Sequence, residues 1–292
     1  MAANQTTTTT ANDYVLPAEL LASRVLPHFY GHNNARHMTR FETIVNSPTT
    51  AAIFPIAGEL AASGVAETAD LSYTTYSTGG TTLTASEAGL VLGISDMLGQ
   101  SDIVDLGHYA QQMGEAMANL VTVDILSLAT GFGSSVGATG VNLTEANILD
   151  GIQTIAATGV TGQLHGSLHT IQWRDLAAAV GGTLTPAGTT GSESVAQVTR
   201  AFGADPVQSG GLLNLYGVNW AMTSNVPTAN AGADRAGMIV SPMYAIGFLE
   251  KWPVRVRYER DESARITEIV LSTAFTVAEL LDDAGVGVVT DA

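Results

Sequence analysis

Leu71-Ser72-Tyr73-Thr74-Thr75-Tyr76-Ser77-Thr78-Gly79-Gly80-Thr81-Thr82-Leu83-Thr84, carried on from Ala85 to Leu92, is a Thr-, Tyr- and Val-rich run with two adjacent glycines near its middle. Such residues favour strands, and paired glycines supply the positive φ angles of a tight hairpin turn. The reading is two strands, Leu71–Thr78 and Thr81–Leu92, with the tip at Gly79-Gly80. Thr and Ser fill most places between the apolar side chains, so this ribbon has little core of its own. An isolated hairpin is only marginally stable in water. It is therefore expected to lie on another surface.

Downstream, Ile103, Leu106, Ala110, Met113, Met117, Leu120, Val121, Ile125 and Leu128 recur at three- and four-residue steps. That period predicts one long helix over Ser101–Thr130. Ser101 or Asp102 caps it, Asp105 adds charge favoured by the dipole, and Gly131 and Gly133 end it. Gly107 and Gly114 each cost up to ~1 kcal/mol inside a helix, which close packing against another backbone would explain.

Upstream, Thr6 to Thr10 cannot bury apolar surface and should be a loose arm. A short helix from Pro17, with Leu20, Leu21 and Val25 on one face, is expected to close at Pro27. Thr43–Asn46 reads as a strand, and Ala51–Gly58 as an extended segment marked by Pro55. Beyond the long helix come helices over Thr144–Ala157, Arg174–Val180 and Ser192–Phe202, and strands over Leu168–Gln172 and Leu212–Met222. Met243–Leu249 reads as a brief helix. Val254–Tyr258 and Ile266–Val277 form an antiparallel pair about a turn at Asp261-Glu262-Ser263, and Ala284–Thr290 a last strand. Helices and strands mix without regular βαβ alternation, so the class is α+β.

Only 13% of the 292 residues are charged, about half the usual share of roughly 25%. Such a chain either hides surface in an assembly or is a sparsely charged monomer. Residues 51–250 hold 16 acids against Arg174, Arg200 and Arg235, a net of −13 of the chain's −16. No basic stripe exists to grip phosphates. A container that repels its contents and an adaptation to salt both fit such acidity. There is no cysteine, hence no disulfide or thiolate chemistry, and no apolar run approaches the ~18 residues of a membrane-spanning helix.

The chemical motifs are missing. His165 and His169 have the spacing of two zinc ligands on a helix, but Gly166 stands where that motif has Glu. His28, His32 and His37 cluster with Arg36 and Arg40, as a basic contact or a surface loop. No phosphate loop occurs, and the letters Gly-x-Ser-x-Gly at Gly133-Ser134-Ser135-Val136-Gly137 follow the expected long helix instead of joining a strand to a helix, as the nucleophile elbow requires. No catalytic, cofactor-binding or metal residue is assigned, and an enzyme is not expected.

The order of these elements resembles the major capsid proteins of tailed bacteriophages, which have the Hong Kong 97-type fold. Short stretches carry the likeness too: Glu67-Thr68-Ala69-Asp70, Gly93-Ile94-Ser95-Asp96, and His169 to Leu176. The resemblance implies an amino-terminal arm (1–58), a β-hairpin region called the E-loop (59–100), a spine helix and peripheral domain (101–165), an axial domain (166–235) and a return to the peripheral domain (236–292). It implies a virion shell subunit, assembled in the host cytoplasm as hexamers and pentamers around double-stranded DNA. A portal, a separate scaffolding protein and a cement protein would be its partners. Contacts between subunits would come from Tyr73, Tyr76, Gly79 and Gly80 of the hairpin and Tyr14, Phe29, Arg36 and Arg40 of the arm. Arg255, Arg257 and Arg260 would add ion pairs. A relative's covalent lock needs a hairpin lysine, but Lys251 is the chain's single lysine. Alternatives are an encapsulin-like nanocompartment shell and a Thr-rich adhesin or surface-layer protein.

Overall fold

A computed structural model describes residues 18–32, 35–57, 62, 64, 70, 78–99, 106–181 and 213–291. In chain order the elements are α1 (Ala18–His32), β1 (Arg40–Thr43), β2 (Ala51–Ala57), β3 (Thr78–Thr84), β4 (Ser86–Ser95), α2 (Asp96–Gly99) and α3 (Leu106–Ser127). There follow β5 (Ser135–Val136), α4 (Glu145–Ala157), β6 (Leu164–Leu168), α5 (Thr170–Gly181), β7 (Leu213–Leu215), β8 (Val218–Met222) and β9 (Thr228–Ala229). The chain ends with β10 (Asp234–Val240), β11 (Ile246–Asp261), β12 (Ile266–Glu279) and β13 (Gly285–Asp291). The fold is α+β.

The long helix is the centre of the core. Ala110, Met113, Met117, Val121 and Ile125 of α3 are all buried, as their period requires. Leu120 is the exception: it is 39% exposed at the rim of a cleft beside Asp124. Against α3 lies α1. A Cβ on Gly114 would sit 2.7 Å from the Val25 carbonyl oxygen and 3.1 Å from His28 Cβ, so the two backbones meet where only glycine fits. This contact also carries α1 through Pro27, where a stop was expected. Pro27 faces outward while Val25 and Phe29 are buried on α3, so packing outweighs one lost helix bond.

Two sheets flank this centre. The first runs β1-β11-β12-β4, with β1 parallel and the rest antiparallel. Its inner face brings Ile94, Val254, Ile269, Leu271 and Phe275 into the core of α1 and α3. The second runs β5-β13-β10-β6-β8-β7 and packs on α4 and α5 through Ile148, Ile155, Leu168, Trp220, Ile239 and Val286. The boundaries expected at 165/166 and 235/236 fall inside β6 and β10, two adjacent strands of this sheet.

The hairpin differs from its sequence reading. Gly79 and Gly80 make no turn; they lie inside β3, opposite Ile56 and Pro55 of β2. A Cβ on Gly80 would meet Ile53 Cγ2 at 2.8 Å and the Phe54 carbonyl oxygen at 3.1 Å, so glycine there permits close strand approach. The run 81–92 splits at Ala85: residues up to Thr84 pair with β2, while β4 pairs with β12. The hairpin arms are thus β2 and β3, and the connection between them lies outside the described residues. So do residues 71–77 of the expected strand Leu71–Thr78, the cap at Ser101 or Asp102, and the helix Ser192–Phe202.

Three smaller differences have local causes. The strand expected at Thr43–Asn46 ends at Thr43, because Asn46 turns the chain with φ 66°. Ala245–Leu249 is buried on all sides; β11 begins there, where a helix was expected, since a short apolar run does not reveal its own period. The strand expected at Leu168–Gln172 stops at Leu168, and α5 starts with a reciprocal cap. His169 Nδ1 accepts from the Ile171 amide at 3.3 Å, and Gln172 Oε1 accepts from the His169 amide at 3.0 Å.

Candidate assembly surfaces

The β2–β3 ladder has its own small core at its root. Strand alternation turns Phe54 inward at 0% exposure and leaves Ile53 outward at 65%. Phe54 and Leu83 bury against Leu249 of β11 and Leu280 just past β12. Ile44, Ala52, Ala85 and Ala278, partly buried, pack around these four, so a small cluster joins the described part of the hairpin to the body. The Arg40 guanidinium lies 5.5 Å from the Phe54 ring centroid and pairs with Glu42 at 2.7 Å.

Lys251 secures the turn leading into β2. Its Nζ donates to the carbonyl oxygens of Ser47 and, at 2.8 Å, Thr49, and reaches that of Ile44 at 3.5 Å. An ammonium has three donors, and this turn offers three oxygens. Next to it, Arg36 contacts Glu250 at 3.4 Å and lies 4.3 Å from the Phe41 ring centroid and 5.4 Å from that of Phe248. Burial pushes the Glu250 carboxyl up, and the Arg36 charge opposes that rise. A cleft of about 760 Å³ opens beside the root, lined by Arg40, Pro55, Ile56, Met243, Tyr244 and Leu281. Met243 is 66% exposed on its rim.

The residues expected to touch neighbours are dispersed. Tyr14, Tyr73 and Tyr76 lie outside the described residues. Phe29 is corrected: at 5% exposure it belongs to the chain's own core, because α1 packs on α3 and does not float as an arm. Arg36 and Arg40 brace the hairpin root from within. Arg260 of β11 grips Asp96 at the start of α2, with N···O distances of 2.5 and 2.8 Å, and Glu262 at 3.2 Å. That bond holds the Asp96 carboxyl below the usual range. Arg255 and Arg257 do stand outward on β11, Arg255 over the Trp252 ring at 5.3 Å. Sequence reasoning missed Phe54, Leu83 and Lys251. Only the isolation of Lys251 as the single lysine hinted at a role.

Among the described residues, no group of three or more His, Asp or Glu side chains could hold a metal. His165 lies on β6, its ring 5.0 Å from that of His37, and burial holds its pKa down. His169 caps α5 through Nδ1. No helix among the described residues is long and apolar enough to cross a membrane.

No family model matches this sequence, and no curated protein matches it. Solved structures do. The capsid of the cyanophage P-SCSP1u aligns with a TM-score of 0.63 and 12% identity over 87% of this chain and 86% of that one. A Mycobacterium phage Che8 structure aligns at 0.61 and 14%, over 81% and 84%. A virus-like particle from Pyrococcus furiosus aligns at 0.60 and 10%, over 92% and 98%. At such identities the shared property is the fold.

Proposed function

From the Hong Kong 97-type capsid fold that this chain has, we propose that it is the major capsid protein of a tailed bacteriophage. It assembles with itself, as hexamers and pentamers, into an icosahedral shell that encloses double-stranded DNA in the virion. Its role is structural and not enzymatic. In this reading residues 1–58 are the arm, 59–100 the E-loop region, 101–165 the spine and peripheral domain, 166–235 the axial domain and 236–292 the return. The β2–β3 ladder pairs residues 51–57 of the arm with the E-loop region. Assembly takes place in the host cytoplasm, with a portal, a separate scaffolding protein and a cement protein as partners. The acidic balance, −16 over the chain, suits a wall that repels its contents.

The observation that carries this proposal is the hairpin held by a small cluster at its root. A ribbon with so little burial of its own gains stability when it lies on another subunit, and many modest contacts add up in a closed cage. Negative-stain images of the purified protein test it, together with extraction of nuclease-resistant nucleic acid from particles of phage-infected cells. Closed shells with protected DNA are expected. Shells filled with protein would move the reading to a nanocompartment, and a monomer under all salt conditions would overturn it.

A further inference from the structure

Among the described residues, the outer edge of β11 is covered only at its start. β1 pairs only with Gly247–Glu250, and among the described residues no strand takes the edge from Trp252 to Asp261. Along this stretch the outward side chains, at alternate positions, are Arg255, Arg257, Glu259 and Asp261: two cations followed by two anions. Among the described residues neither Arg257 nor Glu259 has an ion-pair partner within the chain, while Arg36, Arg40, Arg174 and Arg260 all have one. Glu259 even stands opposite Glu268 of β12, a like-charge pair that costs stability. Asp261 accepts from Ser263 and Ala264 through Oδ1.

A strand edge left unpaired is a template for another strand. The charges specify which. A two-fold axis perpendicular to a sheet keeps outward side chains outward, so an antiparallel self-pairing must centre on a residue. Centring on Arg257 or on Glu259 sets that residue against its own copy. Centring on Val256 opposes Arg255 to Arg257, and centring on Arg260 opposes Glu259 to Asp261. Centring on Tyr258 alone opposes Arg255 to Asp261 and Arg257 to Glu259, and by symmetry does so twice. The ladder is also bounded evenly: Pro253, which has no N–H to donate, and Ser263 of the turn are equally distant from Tyr258. We propose that two copies of this chain join edge to edge along β11, antiparallel and centred on Tyr258. The contact rests on the shell reading above and adds a two-fold link between subunits.

Because the chain has no cysteine, the register can be read directly. Full-length Arg257→Cys and Glu259→Cys chains, differently tagged, are co-expressed and oxidised. A disulfide-linked dimer containing both tags is expected, with little from either chain alone, because Cβ atoms diagonal in a ladder lie roughly 7–8 Å apart, beyond a disulfide's reach of about 4 Å. In a second measurement, Arg257→Glu and Glu259→Arg each lose the association, and the double swap, with complementarity restored, regains it while circular dichroism stays unchanged. Equal cross-linking from single chains, a swap no better than its parents, or slow amide exchange at 255–261 in a monomer would overturn the pairing, the last because another segment of the chain would then hold the edge. Shells that form without the mixed cross-link refute the pairing and leave the shell reading intact. The cross-link without shells supports the pairing and counts against the shell.

Discussion

Phe54→Ala separates the stability of the hairpin from that of the body. Phe54 is fully buried, and its ring packs with Leu83, Leu249 and Leu280 at the ladder's root. Truncating a buried Phe costs about 3–5 kcal/mol from lost transfer energy and the cavity left behind. If that energy held the whole molecule, Tm would fall by roughly 6–20 °C, at about 2–4 °C per kcal/mol for a chain of this size class. The cluster, however, joins the ladder only to the end of the β11–β12 pair, and the main core around α3 contains none of its four residues. The loss should therefore appear as local opening, with amides of 51–57 and 78–84 exchanging far faster while the main transition hardly moves. Ile125→Ala, at 0% exposure in the main core, should do the reverse. Hydrogen exchange with mass spectrometry, run beside calorimetry, reads both. Should Phe54→Ala depress the main transition as much as Ile125→Ala, with no selective exchange in the ladder, then ladder and body are one cooperative unit and the reasoning fails.

Gln172→Leu removes the donor that ties α5 to the second sheet: Gln172 Nε2 serves the Arg235 and Val288 carbonyl oxygens at 2.9 and 3.1 Å and Thr290 Oγ1 at 2.8 Å. Leaving such groups unpaired should cost about 2–4 kcal/mol, visible as a lower denaturation midpoint in urea. Burial depresses the His165 pKa below 6.5 and its Nδ1 has no hydrogen-bond partner. The folded state thus binds a proton less readily than the unfolded one, so the stability is fully present above 6.5 and is lost as pH falls below it, through the depressed folded-state value. His165→Gln should flatten the decline of Tm on acidification across that range. Boiled particles should run as one band near 30.2 kDa, because the chain lacks cysteine and its lysine is committed to the carbonyls of the 44–50 turn; a ladder of covalent oligomers would contradict this.

What could be read in advance follows the range of the forces involved. α3 was legible because a buried helix face repeats within its own sequence, and β11–β12 because alternation around a short turn is local. The partner of β3 was not, since Ala51–Ala57 pairs with it across an intervening connection, and a Gly-Gly pair looks the same in a turn and in a close strand contact. Phe29 looked like arm because nothing in its neighbourhood reveals Gly114, the residue that admits α1 to the core. The resemblance places Arg36, Arg40 and Arg260 at contacts between subunits. Whether each is satisfied inside the chain depends on its acid: Glu42 is local to Arg40 on β1, but Glu250 and Asp96 are brought to Arg36 and Arg260 only by the tertiary fold.

The ladder of β2 and β3 contains seven residue pairs, a rod about 20 Å long at ~3.4 Å per step. Its fulcrum is one small cluster. A tilt of some ten degrees at that fulcrum would swing the far end by roughly 3–4 Å over that length, a displacement comparable with the spacing between strands. The body need not deform for this to happen: the packing of the small cluster around Phe54, Leu83, Leu249 and Leu280, and the turn tethered by Lys251, would take up the change. One rigid part could thus meet neighbours at unequal distances by leverage alone. In a cage built from a single kind of chain, the differences between five-fold and six-fold surroundings would then be absorbed at one small joint.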